Sequence, residues 1–311
     1  MGELNIALIG ECMIELQEIN GVWRKSFGGD TLNTAVYLSR LSEGKAVNVS
    51  YVTALGQDKI SQEMIDSWSL EGINTQFVQR SATKQPGLYM VETDDTGERS
   101  FLYWRDDAAA KYWLETASDE LIEKLLAQDA IYLSGISLAI LPAQSREKLY
   151  ELLSRYKSNG GKVYFDNNYR PKLWDSAEQA AESFKRILSV THTGLLTFDD
   201  EQALFGDTCI EDCLARTRAL GVQEIVIKQG GSECLIVTGE QSISVAATKI
   251  SPENIIDTTA AGDSFAAGYM SKRILGESSI VAAEKGHQLA GTVIQHKGAL
   301  IDVQYTAPFV D

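Results

Sequence analysis

Short apolar runs along the chain alternate with stretches in which apolar residues recur at helical spacing. The runs predict strands at residues 4–9, 49–55, 130–133, 162–166, 194–197 and 224–228, and a hairpin at 234–238 and 243–245. The periodic stretches predict helices from residue 30 onward and at residues 61–70, 142–158, 177–188, 210–220, 263–275 and 280–294. This alternation favours an α/β fold with a doubly wound, mostly parallel sheet flanked by helices.

Two segments depart from the alternation and predict a small β lid. Residues 12–19 alternate apolar and polar positions, which is typical of a half-exposed strand. Residues 88–93 and 99–105 are rich in β-branched and aromatic side chains, and Asp94-Asp95-Thr96-Gly97 between them predicts a hairpin turn. We therefore expect one domain of residues 1–311 into which a lid is inserted, formed by residues 11–20 and 87–107.

The chain is strongly acidic, with 43 Asp and Glu against 28 Lys and Arg and a formal net charge of −15 over 311 residues. Such a charge disfavours nucleic acid or an anionic membrane as the partner. No apolar stretch reaches the ~18 residues that a bilayer span requires. The first ten residues lead into a strand rather than a secretion signal, so the cytoplasm is the expected location.

The segment from Asp257 to Gly268 (DTTAAGDSFAAG) indicates anion chemistry. Small residues lead into a helix, and the free amides at a helix start attract anions. Asp263 in the first turn fits a base that takes a proton from a hydroxyl, while the amides of Ala261, Gly262 and Asp263 stabilise a phosphoryl group in transfer. The same segment also fits a helix start that only packs closely, with Asp263 as its cap.

Two arginines indicate an acidic ligand. Tyr103 and Arg105 are two apart on a predicted strand and point to one face. Arg170 lies in the sequence DNNYRP after a buried strand, where open α/β sheets place ligand-binding loops. Arginine donates two hydrogen bonds to a planar carboxylate or phosphate. With Tyr89, these residues predict a site for an acidic sugar, although each arginine also fits a surface ion pair.

A glycine-rich turn, KQGGSE at residues 228–233, follows the predicted strand at 224–228. Such a turn lays its backbone against a nucleotide or closes a tight hairpin. The chain has neither G-x-x-x-x-G-K-[S/T] nor G-x-G-x-x-G. These absences argue against a P-loop enzyme and against a dinucleotide-dependent dehydrogenase.

Over essentially its whole length, the chain resembles the ribokinase-like carbohydrate kinases. The sequence GGDTLNTA at residues 28–35 resembles their first signature, and DTTAAGD at 257–263 resembles the second, D-T-x-G-A-G-D, with Ala260 in the first glycine position. The resemblance implies that Asp263 is the catalytic base. It also implies an anion hole formed by Ala260, Ala261, Gly262 and Asp263.

Within that family, GGD, YWR, DNNYRP and DTTAAGD resemble the 2-keto-3-deoxygluconate kinases. The resemblance implies ATP-dependent phosphorylation of this sugar acid to its 6-phosphate. It implies a sugar-acid pocket lined by Gly29, Asp30, Asn33, Tyr89, Tyr103, Arg105 and Arg170. It implies ATP contacts from Asn168, Arg170, Lys228, Gly230, Gly231, Ser232 and Glu233.

The resemblance also implies cations. Many members of the family organise Mg²⁺ through water with Asn-x-x-Glu, but residues 197–201 lack the Asn, which leaves Asp200 and Glu201 as alternatives. Some members bind a monovalent cation through backbone carbonyls, which would come here from Asp257, Thr259 and residues 297–299.

The apolar side chains of the lid predict a homodimer or a higher homo-oligomer, with contacts from Leu88, Met90, Phe101, Leu102 and Trp104. Two alternative functions stay open at this point. One is a kinase of the same family for a neutral sugar such as fructose or ribose. The other is a nucleotide-binding regulator without turnover.

Overall fold

The computed structural model describes residues 2–19, 21–93 and 99–310. These residues form two β-sheets whose strands are, in chain order, β1 (Leu4–Ile9), β2 (Met13–Ile19), β3 (Val22–Gly28), β4 (Val47–Gly56), β5 (Val78–Ser81), β6 (Leu88–Thr93), β7 (Arg99–Trp104), β8 (Ala130–Ser134), β9 (Lys162–Asp166), β10 (Thr193–Thr197), β11 (Glu224–Lys228), β12 (Cys234–Thr238) and β13 (Gln241–Val245). The helices are α1 (Asp30–Leu41), α2 (Lys59–Leu70), α3 (Trp113–Thr116), α4 (Asp119–Leu126), α5 (Gly135–Ala139), α6 (Ala143–Ser158), α7 (Ala177–Val190), α8 (Phe198–Phe205), α9 (Ile210–Ala219), α10 (Ala261–Arg273), α11 (Ser279–Val293) and α12 (Val303–Thr306).

The larger sheet has nine strands in the order β13-β12-β11-β10-β9-β8-β1-β4-β5. Neighbours from β11 to β5 pair parallel, and β12 and β13 pair antiparallel at one end. The predicted α/β fold with a mostly parallel sheet is therefore confirmed. The chain runs from β1 out to β4 and β5, then returns to β8 on the other side of β1. This reversal opens a crevice at the carboxyl ends of the strands, where ligands bind in such folds.

Both faces of the larger sheet are covered, and β1 shows how. Ala7 and Ile9 pack into the core on one face, whereas Ile6 and Leu8 pack into the core on the other. All four are at most 1% exposed. Helices α6 and α7 supply the first core and helices α1, α10 and α11 the second. Strands buried on both faces appear in the sequence as continuous apolar runs, which explains why β1 was readily predicted.

The smaller sheet, which we call the lid, has the order β3-β2-β6-β7. Strand β3 belongs to the lid but lies outside the predicted lid segments, 11–20 and 87–107. The predicted lid was therefore too small. Most of its residues are exposed, and a strand at an exposed edge carries little hydrophobic pattern. The predicted turn at 94–97 and residue 20 lie outside the described residues.

Helix α1 begins after Gly29, and no side chain caps it. Helix α10 begins at Ala261 rather than at residue 263. Among the described residues, every helix is too short or too polar to traverse a bilayer.

Candidate active site

Two clefts open at the carboxyl ends of the parallel strands. The larger, of about 510 Å³, lies between the larger sheet and the lid. The smaller, of about 320 Å³, lies between the end of β11 and helices α10 and α11. Both clefts are lined by Thr197, Lys228, Thr258, Ala261 and Gly262. The clefts therefore meet at the start of α10, the segment in which the sequence predicts phosphoryl chemistry.

Asp263 lies in the first turn of α10 and lines the larger cleft. Its Oδ2 accepts a hydrogen bond of 2.9 Å from Asn33 Nδ2, and its carbonyl accepts one of 3.3 Å from Thr34 Oγ1. Helix α1 thereby orients the carboxylate. The N-cap of α10 is Ala260, and no side chain caps the helix, so the interpretation of Asp263 as a cap is wrong.

The backbone before Asp263 adopts an uncommon conformation. Ala260 has φ of 60°, in the left-handed region, which costs a residue other than glycine roughly 1–2 kcal/mol. The amide of Ala261 donates to Thr258 O at 3.2 Å. This amide therefore closes the turn, whereas the sequence predicts that it binds an anion. Helix geometry leaves the next two amides, those of Gly262 and Asp263, without intrahelical partners. Both residues line the larger cleft, and Gly262 lines the smaller cleft as well.

The electrostatics of the site favour a base that works near neutral pH. Burial raises the pKa of Asp263 to about 8, with a further contribution from the charge of Asp30, whereas the hydrogen bond from Asn33 and the charge of Lys228 act in the opposite direction. Burial also raises the pKa of Asp30, although hydrogen bonds to the carboxylate oppose this, including one of 2.7 Å from Asn168 Nδ2. A general base is most effective when its pKa lies near the working pH.

Lys228, the last residue of β11, places a cation beside these carboxylates. It is buried, and its Nζ lies 2.9 Å from Asp166 Oδ2 at the end of β9. Asp166 lines the larger cleft and was not predicted as a site residue. Its position at the carboxyl end of a buried strand was the signal available in the sequence.

The lid side of the larger cleft is built on close backbone packing. A Cβ atom on Gly29 would lie 2.2 Å from Glu11 O, so this position requires glycine. The rings of Tyr89 and Tyr103 lie 5.9 Å apart, and Tyr89 Oη donates to Glu15 Oε2. Burial raises the pKa of Tyr89.

The predicted residues that line this cleft together are Gly29, Asp30, Asn33, Tyr89, Tyr103, Asn168, Arg170, Asp200, Lys228, Ala260, Ala261, Gly262 and Asp263.

Asn33 offers an unused acceptor to a ligand. Its side chain is buried, and its Oδ1 has no hydrogen-bond partner among the described residues. A buried polar atom without a partner carries a desolvation cost that a ligand hydroxyl removes. Asn33 is therefore suited to hold a sugar hydroxyl next to Asp263.

The two predicted arginines occupy different environments. Arg105 forms an ion pair with Glu11, and the two side chains are 10% and 1% exposed. As far as the described residues define it, the larger cleft does not include Arg105. Arg170 does line the cleft, with its side chain 54% exposed and its Nη1 3.8 Å from Asp200 Oδ1. Of the two predicted arginines, Arg170 is thus the one whose side chain is open to a ligand in the larger cleft.

The two faces of β7 point to different sides of the lid, one toward the larger cleft and the other away from it. Phe101 stacks on Tyr103 with ring centroids 6.4 Å apart, and both line the larger cleft. Leu102 and Trp104 point the other way and are 44% and 56% exposed. The sequence assigns Phe101 to the partner-binding face of the lid, but it lies on the cleft face instead.

Helix α8 separates the two acidic residues between which the sequence could not choose. Asp200 lines the larger cleft, its Oδ2 accepts a hydrogen bond of 3.1 Å from Tyr169 N, and burial raises its pKa. Glu201 is fully buried and pairs with Arg216 at 2.5 Å. Because successive helical residues point about 100° apart, only one of them can face the cleft. Asp200 is the carboxylate that fits a water-mediated contact with a divalent cation.

The smaller cleft combines a glycine turn with an apolar wall. Gly230 and Gly231 line it, as predicted for a nucleotide site. Ser232 and Glu233 lie outside it in the described structure, and Glu233 Oε1 instead accepts a hydrogen bond of 2.9 Å from Ser244 Oγ. Cleft residues that were not predicted as site residues are Met13, Gly28, Phe101, Ile136, Asp166, Thr197 and Thr258 in the larger cleft, and Ala247, Thr248, Ile255, Phe265, His287, Ala290, Gly291 and Ile294 in the smaller. Thr259 and Ala299, which belong to the segments predicted to bind a monovalent cation, also line the larger cleft.

Known proteins are similar to this chain in sequence and in fold. The sequence profile of the pfkB family carbohydrate kinases matches residues 1–305. The chain is 52% identical over 302 residues to a 2-dehydro-3-deoxygluconokinase of Dickeya dadantii (strain 3937), covering 96% of this chain and 97% of that protein. It is 45% identical over 303 residues to a 2-dehydro-3-deoxygluconokinase of Haemophilus influenzae, covering 96% and 95%. Its fold is similar to a crystal structure of a candidate ribokinase II from E. coli in complex with ATP and Mg²⁺, with a TM-score of 0.82, 18% identity and coverage of 100% and 99%. With signatures, fold and full-length similarity in agreement, the chain belongs to the pfkB family of carbohydrate kinases.

Proposed function

We propose that this protein is a 2-dehydro-3-deoxygluconokinase, which transfers the γ-phosphoryl group of ATP to 2-keto-3-deoxy-D-gluconate and forms the 6-phosphate and ADP. The observation that carries the proposal is the position of Asp263, whose pKa is raised by burial to about 8 and which lies in the larger cleft, directly after the residues at which the two clefts meet. The identity of 45–52% with proteins of this activity supports the choice of substrate.

In the proposed reaction, Asp263 takes the proton of the 6-hydroxyl group as O6 attacks the γ-phosphorus. The bond between that phosphorus and the oxygen that bridges it to ADP breaks, and ADP leaves. Charge on the transferred group is stabilised by the amides of Gly262 and Asp263 and by the ammonium of Lys228. These groups are fixed before substrate arrives, which is the condition under which electrostatic stabilisation is most effective.

The sugar acid binds in the larger cleft. Asp30 and Asn33 hold hydroxyl groups beside Asp263, and Arg170 meets the carboxylate. Tyr89 and Tyr103 cover the sugar from the lid and exclude water, which limits wasteful hydrolysis of ATP. Arg105 remains a predicted contact of the sugar acid. It would make this contact only after its ion pair with Glu11 breaks.

ATP binds in the smaller cleft, with its phosphates directed toward Lys228 and the start of α10. Asp200 would hold Mg²⁺ through water, and the ion would offset negative charge on the phosphate oxygens. We also propose a monovalent cation at the carbonyls of residues 257–259 and 297–299. Asp257 holds these two segments together, since its carboxylate accepts hydrogen bonds of 3.0 Å from Thr259 N and 2.8 Å from Gly298 N.

We further propose a homodimer or higher homo-oligomer formed through the outer face of the lid. Strand pairing places Leu102, Trp104 and Trp23 on that face, and all three are among the exposed large apolar residues. Patches of this kind commonly mark protein interfaces.

We place the enzyme in the cytoplasm, which suits its four free cysteines. We propose neither nucleic acid nor a membrane as a partner.

The proposal is tested by ADP release over a panel of hexonates and neutral hexoses. We expect turnover with 2-keto-3-deoxygluconate and little with fructose or ribose. Preference for a neutral sugar would support the alternative kinase activity, and the absence of ADP release with any sugar would support the non-catalytic regulator. Mass spectrometry of the product then locates the phosphate, which must be on O6.

A further inference from the structure

Asn167, which has no role in the reaction described above, uses its complete hydrogen-bonding capacity inside the protein. The side chain is fully buried. Its Nδ2 donates to Thr197 O and to Glu201 Oε1, both at 2.9 Å. Its Oδ1 accepts from Asn168 N and from Thr197 N, both at 2.9 Å. A primary amide has two donor hydrogens and two acceptor lone pairs, so all four positions are occupied.

These bonds fasten together two loops that carry cleft residues. Asn168 has φ of 29°, which is uncommon for a residue other than glycine, and its side chain holds Asp30. Thr197 lines both clefts and precedes helix α8, whose first turn carries Asp200. One buried amide therefore fixes the end of β9 relative to the end of β10, from which these cleft residues project.

Glu201 sets the direction of that amide. A carboxylate only accepts hydrogen bonds, so Nδ2 of Asn167 must face Glu201 and Oδ1 must face the amides of Asn168 and Thr197. Glu201 is held in turn by Arg216, at 2.5 Å from its Oε2. Arg216 also pairs with Asp207. The guanidinium of Arg216 thus neutralises two buried carboxylates, those of Glu201 and Asp207.

We infer that Asn167 is a positioning residue for phosphoryl transfer, and that the buried pair Glu201–Arg216 fixes its orientation. The inference rests on the proposed kinase function and adds to it a determinant of rate that touches neither substrate. Asn167 acts by holding Asn168 and the start of α8 at the spacing that the reaction requires. A displacement of about 1 Å in such a framework lowers the rate by about 100-fold.

An exchange of donor and acceptor between the two side chains tests this inference. In Asn167→Asp, two carboxylates face each other, and we expect kcat to fall about 100-fold. In Glu201→Gln, the new amide cannot accept from both Asn167 and Arg216 without a clash of donors, and we expect a fall of about tenfold, the effect of one buried hydrogen bond. In the double variant, the amide nitrogen introduced at position 201 donates to the carboxylate introduced at position 167, while the amide oxygen accepts from Arg216.

The size of the Asn167→Asp effect in the two backgrounds is the decisive measurement. Because the carbonyl of Thr197 loses its donor in both backgrounds, Asn167→Asp should lower kcat in each, but by a much smaller factor in the Glu201→Gln background. The half-saturating Mg²⁺ concentration should rise with Asn167→Asp in the wild type and should rise less in the Glu201→Gln background. Asn159→Asp, at an exposed position, is the matched control and should leave kcat unchanged. If Asn167→Asp lowers kcat by the same factor in both backgrounds, or has no effect in the wild type, the inference is wrong.

Circular dichroism separates a loss of positioning from a loss of folding. Rates are measured at saturating substrates, at a temperature where each variant is fully folded. If Asn167→Asp alone does not fold, a double variant that folds and turns over supports the inference, and a double variant that does not fold contradicts it. Absence of sugar-dependent ADP release by the wild type would instead refute the proposed function, so the two failures are distinguishable.

Discussion

The ammonium nitrogen of Lys228 lies 3.6 Å from the position that a Cβ atom would occupy on Gly262. Lys228 comes from the end of β11 and Gly262 from the first turn of α10, so a cation and a free backbone amide converge on one point. Both residues line both clefts. In the proposed reaction, the phosphoryl group passes this point on its way from nucleotide to sugar.

Replacing Lys228 by Met should therefore lower kcat by about 100-fold or more, since the variant lacks a fixed charge beside the transferred group. The KM for the sugar acid should change little, because Lys228 acts mainly in the transition state. Steady-state kinetics with both substrates give these values. Lys148→Met, at an exposed position on α6, is the control. An unchanged kcat in Lys228→Met would exclude Lys228 from the transfer step.

Replacing Asp263 by Asn should abolish most turnover and stabilise the fold. Loss of a general base costs about 100- to 10,000-fold in rate. The raised pKa of Asp263 means that burial disfavours its charged form, and a neutral amide avoids that cost. We expect a Tm higher by at least about 2 °C at pH 8, from thermal unfolding, with Asp66→Asn as an exposed control. Full turnover in Asp263→Asn would refute the mechanism.

The pH dependence of activity should follow the same carboxyl group. Because Asp263 must be ionised to act, kcat/KM should rise roughly tenfold per pH unit below its pKa and level off above about 8. Replacing Asp30 by Asn deletes the neighbouring charge that helps to raise this pKa, so the rise should move to lower pH. Initial rates from pH 5.5 to 9.5 measure both profiles. A flat profile over this range would show that another step limits kcat/KM.

Stability should depend on pH with the opposite sign. A carboxyl group whose pKa is higher in the folded state than its ordinary value of 3.8 binds its proton more tightly when folded. Its contribution to stability is therefore present at low pH and is lost as pH rises toward 8. The Tm advantage of Asp263→Asn should consequently grow from pH 4 to pH 8. An advantage that is constant with pH would indicate a packing effect instead.

The two arginines should respond differently to replacement by Ala. Arg105→Ala leaves the buried carboxylate of Glu11 without its counter-ion and should cost about 3–5 kcal/mol of unfolding free energy. The double variant Glu11→Gln/Arg105→Ala should regain part of that loss. Arg170→Ala should leave the Tm nearly unchanged but raise the KM for the sugar acid by about 10- to 100-fold, the loss of a charged hydrogen bond.

Denaturant titration and steady-state kinetics separate these outcomes. If Arg105→Ala is stable and selectively loses affinity for the sugar acid, then Arg105 leaves Glu11 to bind substrate. A neutral sugar serves as the control substrate for any residual activity. Equal effects of Arg170→Ala on acidic and neutral sugars would exclude Arg170 as the carboxylate contact.

Charges on the outer face of the lid should dissociate the proposed oligomer. In Leu102→Glu/Trp104→Glu, like charges from two subunits would face each other across the interface, which costs several kcal/mol. Light scattering should give the mass of a single chain for this variant and a multiple of it for the wild type. A wild-type mass equal to 34.1 kDa would contradict the oligomer.

Local patterns in the sequence were sufficient for much of this structure. Buried parallel strands such as β1 are continuous apolar runs, and the small residues before Asp263 fit a helix start that approaches an anion. Strand β3 was not predicted, because an exposed edge strand has no apolar pattern and exists only through pairing with β2.

The tertiary structure decided which side chains share a site. The choice between Asp200 and Glu201 depended on the rotation of α8 against the sheet, since adjacent helical residues differ by about 100° in direction. The separation of Arg105 from Arg170 depended on Glu11, which is 94 residues from Arg105 along the chain. Such relationships arise from long-range packing and from the need of buried charges for partners. A single sequence therefore determines the elements and the candidate chemistry of this protein, whereas only the folded chain determines which of those groups meet.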